Sequence, residues 1–222
     1  MPTRLPQFVR NFLKNIDFSG SGDYWSQRYA EGGDSGAGSY GHFAEFKAEV
    51  INRLVAKHGI ETLVELGCGD GNQALLFDVD RYLGLDVAPG AIQRCAERFA
   101  GRTGFSCELY DPARFEPSAA GKHSDAALSL DVLYHLVEDE VYQLYLQQLF
   151  ALAERLVIIY SSNKTSLPFL THRHVRHRRF VDDVARLAPG WKLVETVPNR
   201  YPARFLGLLG GSFADFYIYA RR

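Results

Sequence analysis

Between Leu63 and Asp86 the chain reads Leu63-Val64-Glu65-Leu66-Gly67-Cys68-Gly69-Asp70-Gly71-Asn72, and then Arg81-Tyr82-Leu83-Gly84-Leu85-Asp86. Thr62 to Leu66 is a short apolar, partly β-branched run, which suits a strand buried on both faces. Three alternate glycines follow it, and residues without a Cβ permit a tight turn with close backbone approach to a ligand. Gln73-Ala74-Leu75-Leu76-Phe77 reads as the start of a helix whose unpaired N–H groups face whatever lies over that turn. Asp86 ends the next strand, where a carboxylate can accept hydrogen bonds from a ribose diol. Strand, glycine turn, helix, strand and acid in this order predict a Rossmann-like crevice.

Glycine turns also serve dinucleotides, so the flanking residues decide which cofactor fits. Glu65, two residues before the first glycine, is a poor neighbour for an anionic pyrophosphate but a good one for S-adenosylmethionine, which brings a sulfonium and an ammonium. The spacing is Gly-x-Gly-x-Gly rather than Gly-x-Gly-x-x-Gly. On these residues the chain resembles the class I S-adenosylmethionine-dependent methyltransferases, whose first motif is an apolar strand, an acid and Gly-x-Gly-x-Gly. The resemblance runs from about Ile60 to the C-terminus.

The remaining chain alternates strand and helix patterns: a helix over Ala91 to Ala100 and strands over Phe105 to Tyr110, Asp125 to Leu130 and Arg155 to Tyr160, with a helix over Val141 to Ala153 before the last. Such alternation implies an α/β fold with a mostly parallel sheet and helices on both faces. The tail departs from it, with a helix over Val181 to Leu187 and two strands, Lys192 to Val197 and Phe213 to Tyr219, joined without a helical crossover. These strands predict an antiparallel edge, which the methyltransferase resemblance implies as part of a seven-stranded sheet. Upstream, apolar residues at 43, 46, 50, 51, 54 and 55 predict a helix from Phe43 to His58, closed by Gly59. Phe8, Val9, Phe12, Leu13 and Ile16 fit a short amphipathic helix that packs on the domain or a partner. Residues 1–58 are thus read as N-terminal helices with a glycine-rich lid segment, and 59–222 as one globular methyltransferase unit.

With 222 residues, 46% hydrophobic, and a formal charge of −1, the chain has the composition of an ordinary globular domain and no bias toward nucleic acid or membrane. No apolar run approaches the roughly 18 residues of a membrane span. Cys68, Cys95 and Cys107 are odd in number and widely spaced, which suggests neither a disulfide framework nor a zinc site and fits a reducing cytoplasm. No metal site is expected. The oligomeric state stays open, a homodimer included.

The resemblance implies site residues at the carboxyl ends of the strands. Asp86 would hold the ribose hydroxyls and Asp111 would lie by the adenine. Glu65 and the turn residues Gly67, Cys68, Gly69, Gly71 and Asn72 would line the methionine end. Ser129-Leu130-Asp131-Val132-Leu133-Tyr134-His135-Leu136 resembles the fourth motif, which borders the transferred methyl group. Asp131 there is either a helix N-cap or a site acid. His135, one helical turn further on, is a candidate general base and Tyr134 a substrate contact. Trp25 and Arg28 resemble an N-terminal lid whose guanidinium meets the cofactor carboxylate. His174, Arg176 and His177 belong to a basic segment, Thr171 to Arg179, read as an anion pocket overhanging the site or else as a solvated charged face.

These residues predict O-methylation of a small polar or anionic acceptor such as a sugar or phosphate. Two alternatives stand beside it: N-methylation of a small amine or protein side chain, and an inactive regulatory partner that only binds the cofactor.

Overall fold

The computed structural model describes residues 20–115, 124–165, 173–203 and 211–222. The amphipathic segment expected at Phe8 to Ile16 lies outside the described residues. Among the described residues, five helices flank one sheet. Helix α1 is Ser21–Ala30 and α2 is Gly41–His58; strands β1 (Thr62–Leu66) and β2 (Arg81–Asp86) follow, then α3 (Pro89–Phe99), β3 (Phe105–Leu109), β4 (Ser124–Leu130), α4 (Asp139–Ala151), β5 (Ala153–Ser161), α5 (Phe180–Leu187), β6 (Trp191–Val197) and β7 (Asp215–Arg221).

The sheet order is β3-β2-β1-β4-β5-β7-β6. Strands β1 to β5 pair in parallel, and β7 inserts antiparallel between β5 and β6, so the tail expectation holds. Strand order reverses between β1 and β4, which places a crevice at the carboxyl ends of those strands.

Successive side chains of a strand point to opposite faces. In β5, Leu156, Ile158 and Tyr160 join one core while Val157 and Ile159 join the other. In β1, Leu63 faces the first core and Val64 and Leu66 the second. Helix α2 buries Phe46, Val50, Ile51 and Leu54 in the first core. Gly59 ends that helix in the left-handed region (φ 56°) and returns its N–H to the Val55 carbonyl. No helix among the described residues is long and apolar enough to cross a membrane.

Two expected helices are shorter than the sequence implied. After the glycine turn, Gln73–Leu76 forms a single 3₁₀ turn. Phe77 then buries its ring in the core beside Tyr82, and the chain enters β2 at once. After β4, a 3₁₀ turn spans Leu133–His135. Asp131, with a left-handed backbone (φ 61°), does not cap it: no side-chain cap bond forms, and its carboxylate is engaged by Lys47 and the Tyr134 hydroxyl.

The two-sided burial of β4 yields a direct prediction. Leu128 is fully buried at the centre of the sheet, and Leu128→Ala should cost about 2–5 kcal/mol in urea unfolding. Val194, half-exposed on the edge strand, should tolerate Val194→Ala within about 0.5 kcal/mol.

Candidate active site

A cavity of about 740 Å³ opens over the carboxyl ends of β1, β2 and β4. Its floor is the glycine turn. The N–H groups of Gly67 and Cys68 both donate to the Leu85 carbonyl, at 2.7 and 3.1 Å, which curls the turn back over β2. Gly67 (φ 85°) and Gly69 (φ 57°) occupy backbone conformations that side chains rarely adopt. A Cβ on Gly67 would lie 2.6 Å from a Val132 methyl, and one on Gly69 would lie 2.3 Å from Ser35 Oγ. The turn can therefore be approached closely from above.

Asp86 reaches back across the turn. Its Oδ2 accepts the Gly69 N–H and its Oδ1 the Ala88 N–H, both at 2.9 Å. Burial raises its pKa while these two donors pull it down. Glu65 is buried one strand over, and its Oε2 accepts the Tyr82 hydroxyl at 2.6 Å. Burial lifts its pKa to about 7, against the pull of Tyr82 and Lys47. Glu65 alone is therefore a weaker electrostatic discriminator at neutral pH than its position in the sequence implies. The Cys68 thiol is held well above its usual range by its contact with Cys95 and by burial, so it is no nucleophile.

The roof comes from the N-terminal segment. Trp25, Arg28 and Tyr29 of α1 line the cavity. Ser21, at the start of that helix, donates its N–H to Glu138 Oε1 at 2.7 Å and bonds the other carboxylate oxygen through Oγ at 2.5 Å. Near the other end, the Tyr29 hydroxyl meets Ser35 Oγ at 2.6 Å, and Ser35 accepts the Asp70 N–H at 3.0 Å. Arg28 lines the cavity, but its guanidinium is held by Asp34, through the carbonyl at 2.7 Å and Oδ1 at 3.1 Å.

Lys47 was not anticipated. It is completely buried, lines the cavity, donates to Asp131 Oδ2 at 2.8 Å and lies 5.4 Å over the Tyr160 ring. The signal was present in the sequence: position 47 precedes 50, 51 and 54 by three, four and seven residues, on the apolar stripe of α2. Asp131 Oδ1 accepts the Tyr134 hydroxyl at 2.7 Å, so both carboxylate oxygens are engaged.

His135 sits against this network. Its Nδ1 meets the His174 carbonyl at 3.1 Å; that contact requires an N–H on Nδ1 and leaves the lone pair on Nε2. Burial drives the imidazole pKa down to about 4, so the ring is neutral at physiological pH.

Of the expected site residues, Trp25, Arg28, Glu65, Gly67, Cys68 and Gly69 line the cavity, as do Asp86, Asp111, Asp131, Tyr134, His135 and His174. Five others do not, each for a visible reason. Gly71 gives space to α3, where a Cβ would lie 2.7 Å from Cys95 Sγ. Asn72 ties the Ser39 carbonyl to Arg98. Ser129 is buried beneath the floor, bonded to the Tyr145 hydroxyl. Arg176 donates to the Val137 carbonyl and pairs with Asp139, and His177 bonds Ser162 Oγ. Arg178 adds bonds to the Leu136 and Val137 carbonyls, so these arginines staple the loop before α4 and do not converge into an anion pocket.

No family model matches the chain, and no curated protein matches its sequence. Solved structures do. The N-methyltransferase NodS from Bradyrhizobium japonicum WM9, in complex with S-adenosylhomocysteine, superposes with a TM-score of 0.68 at 17% identity, covering 91% of this chain and 99% of that one. The chain has the methyltransferase fold. Magnesium protoporphyrin IX methyltransferase from Synechocystis PCC 6803, with the same product bound, gives a TM-score of 0.60 at 16% identity over 95% of this chain and 99% of the other. The methyltransferase domain of bacterial CtHen1 gives 0.62 at 18% identity, over 79% and 96%. This likeness establishes the Rossmann-like architecture expected from Leu63 to Asp86.

The raised pKa of Glu65 has a consequence for stability. The native carboxyl keeps its proton to about pH 7, whereas the unfolded one ionises near the ordinary carboxylate value. Ionisation therefore costs native stability, progressively between those two values and fully above pH 7. Glu65→Gln should raise the melting temperature by a few degrees at pH 8 and by much less at pH 4.5, read by thermal denaturation at the two pH values.

Proposed function

We propose that the chain is an S-adenosylmethionine-dependent methyltransferase that acts on an oxygen of a small polar acceptor. One observation carries the choice of cofactor: buried and partly buried acids stand around a glycine turn that has no full helix behind it. A dinucleotide pyrophosphate is held by a helix N-terminus after such a turn. Here that element is one 3₁₀ turn, and Glu65, Asp86 and Asp131 surround the space instead.

The residues present fit the cofactor. The Asp86 carboxylate, oriented by two backbone N–H groups, is placed to accept ribose hydroxyls, and Asp111 lies at the neighbouring strand end for the adenine. Gln73 lines the cavity and its Oε1 is buried with no partner among the described residues, an acceptor that together with Glu65 suits an ammonium. Arg28 reaches a cofactor carboxylate only by giving up Asp34. When bound, S-adenosylmethionine supplies an electrophilic methyl carbon on a sulfonium.

The protein contributes alignment, water exclusion and a proton acceptor. Helix α1 covers the cavity, and His135 offers Nε2 to the proton of an acceptor hydroxyl. Its low basicity suffices if the proton leaves as the new bond forms, because the methylated oxygen is then strongly acidic. An anionic acceptor loses its main support, since Arg176 and Arg178 are committed to carbonyls and Asp139. N-methylation of a small amine remains the second reading. The acid-lined cavity favours it, and NodS, which shares the fold, is an N-methyltransferase.

The enzyme is expected in a reducing cytoplasm, where Cys68, Cys95 and Cys107 stay free.

Calorimetry should show S-adenosylhomocysteine binding and no measurable affinity for NAD. Asp86→Ala should weaken that binding about tenfold to a hundredfold, the loss of hydrogen bonds to a charged group. The converse preference, NAD over S-adenosylhomocysteine, would refute the proposal. Labelled methyl transfer to a panel of alcohols and amines then separates oxygen from nitrogen.

A further inference from the structure

The end of the cavity beyond Asp131 is walled by rings. The Trp25 ring stands edge-on to His135 at 5.0 Å, and the His174 ring lies nearly parallel to His135 at 5.6 Å. Tyr24 stacks on the outer side of this group, 4.4 Å from His174, and Tyr134 is 4.6 Å from His135. Leu136 and Val141 complete the wall, with Val141 partly exposed at the mouth.

Three of the polar side chains around this end are already committed. The Tyr134 hydroxyl is on Asp131, and both oxygens of Glu138 are on Ser21. Arg178 is on the Leu136 and Val137 carbonyls. A polyol or phosphate entering among these rings would lose water with few ring-face contacts able to replace its hydrogen bonds, which is costly. A flat ring would replace water with ring faces and edges and gain offset or edge-to-face contacts. In this wall, His135 presents the Nε2 lone pair as an acceptor for a hydroxyl.

Resting on the methyltransferase reading, we propose that the acceptor is a neutral aromatic compound whose hydroxyl addresses His135, with its ring held in the chamber of Trp25, Tyr134, His135, Leu136, Val141 and His174.

The test is calorimetric titration of the full chain, saturated with S-adenosylhomocysteine, with 2-naphthol, methyl glucoside and glucose 1-phosphate as probes. Naphthol should bind more tightly than either sugar. Trp25→Ala should weaken naphthol binding by about tenfold, the contribution of one aromatic contact with its buried area, and Trp25→Phe should restore most of it. Tighter binding of methyl glucoside or glucose 1-phosphate, no binding of naphthol, or unchanged naphthol affinity in Trp25→Ala would overturn the proposal. Failure of S-adenosylhomocysteine itself to bind would instead refute the cofactor reading beneath it.

Discussion

The ion pair between the buried Lys47 and the largely covered Asp131 joins two layers of the site. Lys47 belongs to α2, Asp131 stands just past the end of β4, and their 2.8 Å contact ties the N-terminal helical layer to the carboxyl edge of the sheet. A cation and a carboxylate removed from water are tolerated only as a pair, and losing one partner of such a pair typically costs about 3–5 kcal/mol. Asp131 also carries a left-handed backbone, a conformation that costs a non-glycine residue roughly 1–3 kcal/mol and persists where surroundings over-determine it. Lys47 and Tyr134 supply that determination. The loop before α2 packs on the same carboxylate, since a Cβ on Gly38 would lie 2.8 Å from Asp131 Oδ2. Helix, loop and strand end are thus registered through one side chain.

The legibility of this arrangement in the sequence follows from the physics of each residue. Leu63 to Leu66 and Leu156 to Tyr160 are buried on both faces, and such largely apolar segments have few other places to go. Glycines at 67 and 69 were legible because no other residue tolerates the contacts found there. Lys47 was missed because a lone lysine on an apolar stripe reads as a snorkelling surface residue until its partner, 84 positions away, is known. The helix expected at Gln73 contracted because Phe77 anchors in the core and the chain must reach β2 within a few residues. No local propensity encodes such a tertiary constraint.

The basic segment shows how composition alone can mislead. Dense arginine suggests a surface awaiting an anion, yet a guanidinium carries five donors in a fixed fork and is equally suited to backbone carbonyls. The turn after Asp131 presents the Leu136 and Val137 carbonyls, which no helix or strand satisfies. Arg176 and Arg178 take them up and share Asp139 as a counter-charge. Their role is to hold a loop in place, and His174, carried on the same segment, is thereby fixed with its carbonyl against His135.

Burial explains why the candidate base is so weakly basic, and the His174 carbonyl, which favours a proton on Nδ1, only partly offsets it. A histidine exposed at a cleft edge would keep its ordinary pKa and be partly protonated near neutrality, unable to take a proton in that fraction of molecules. Desolvation between Trp25 and His174 removes that fraction, and the bond from Nδ1 to the His174 carbonyl selects the tautomer: the ring is neutral throughout the physiological range. Basicity is given up for a defined orientation. A cationic sulfonium nearby would further disfavour a charged imidazole, so a base in this position must receive its proton late, when the oxygen has already been made acidic by its new methyl group. A half-buried, ring-walled histidine meets that requirement better than a solvated one of higher pKa, and the rings that desolvate it are the same ones that wall the proposed acceptor chamber.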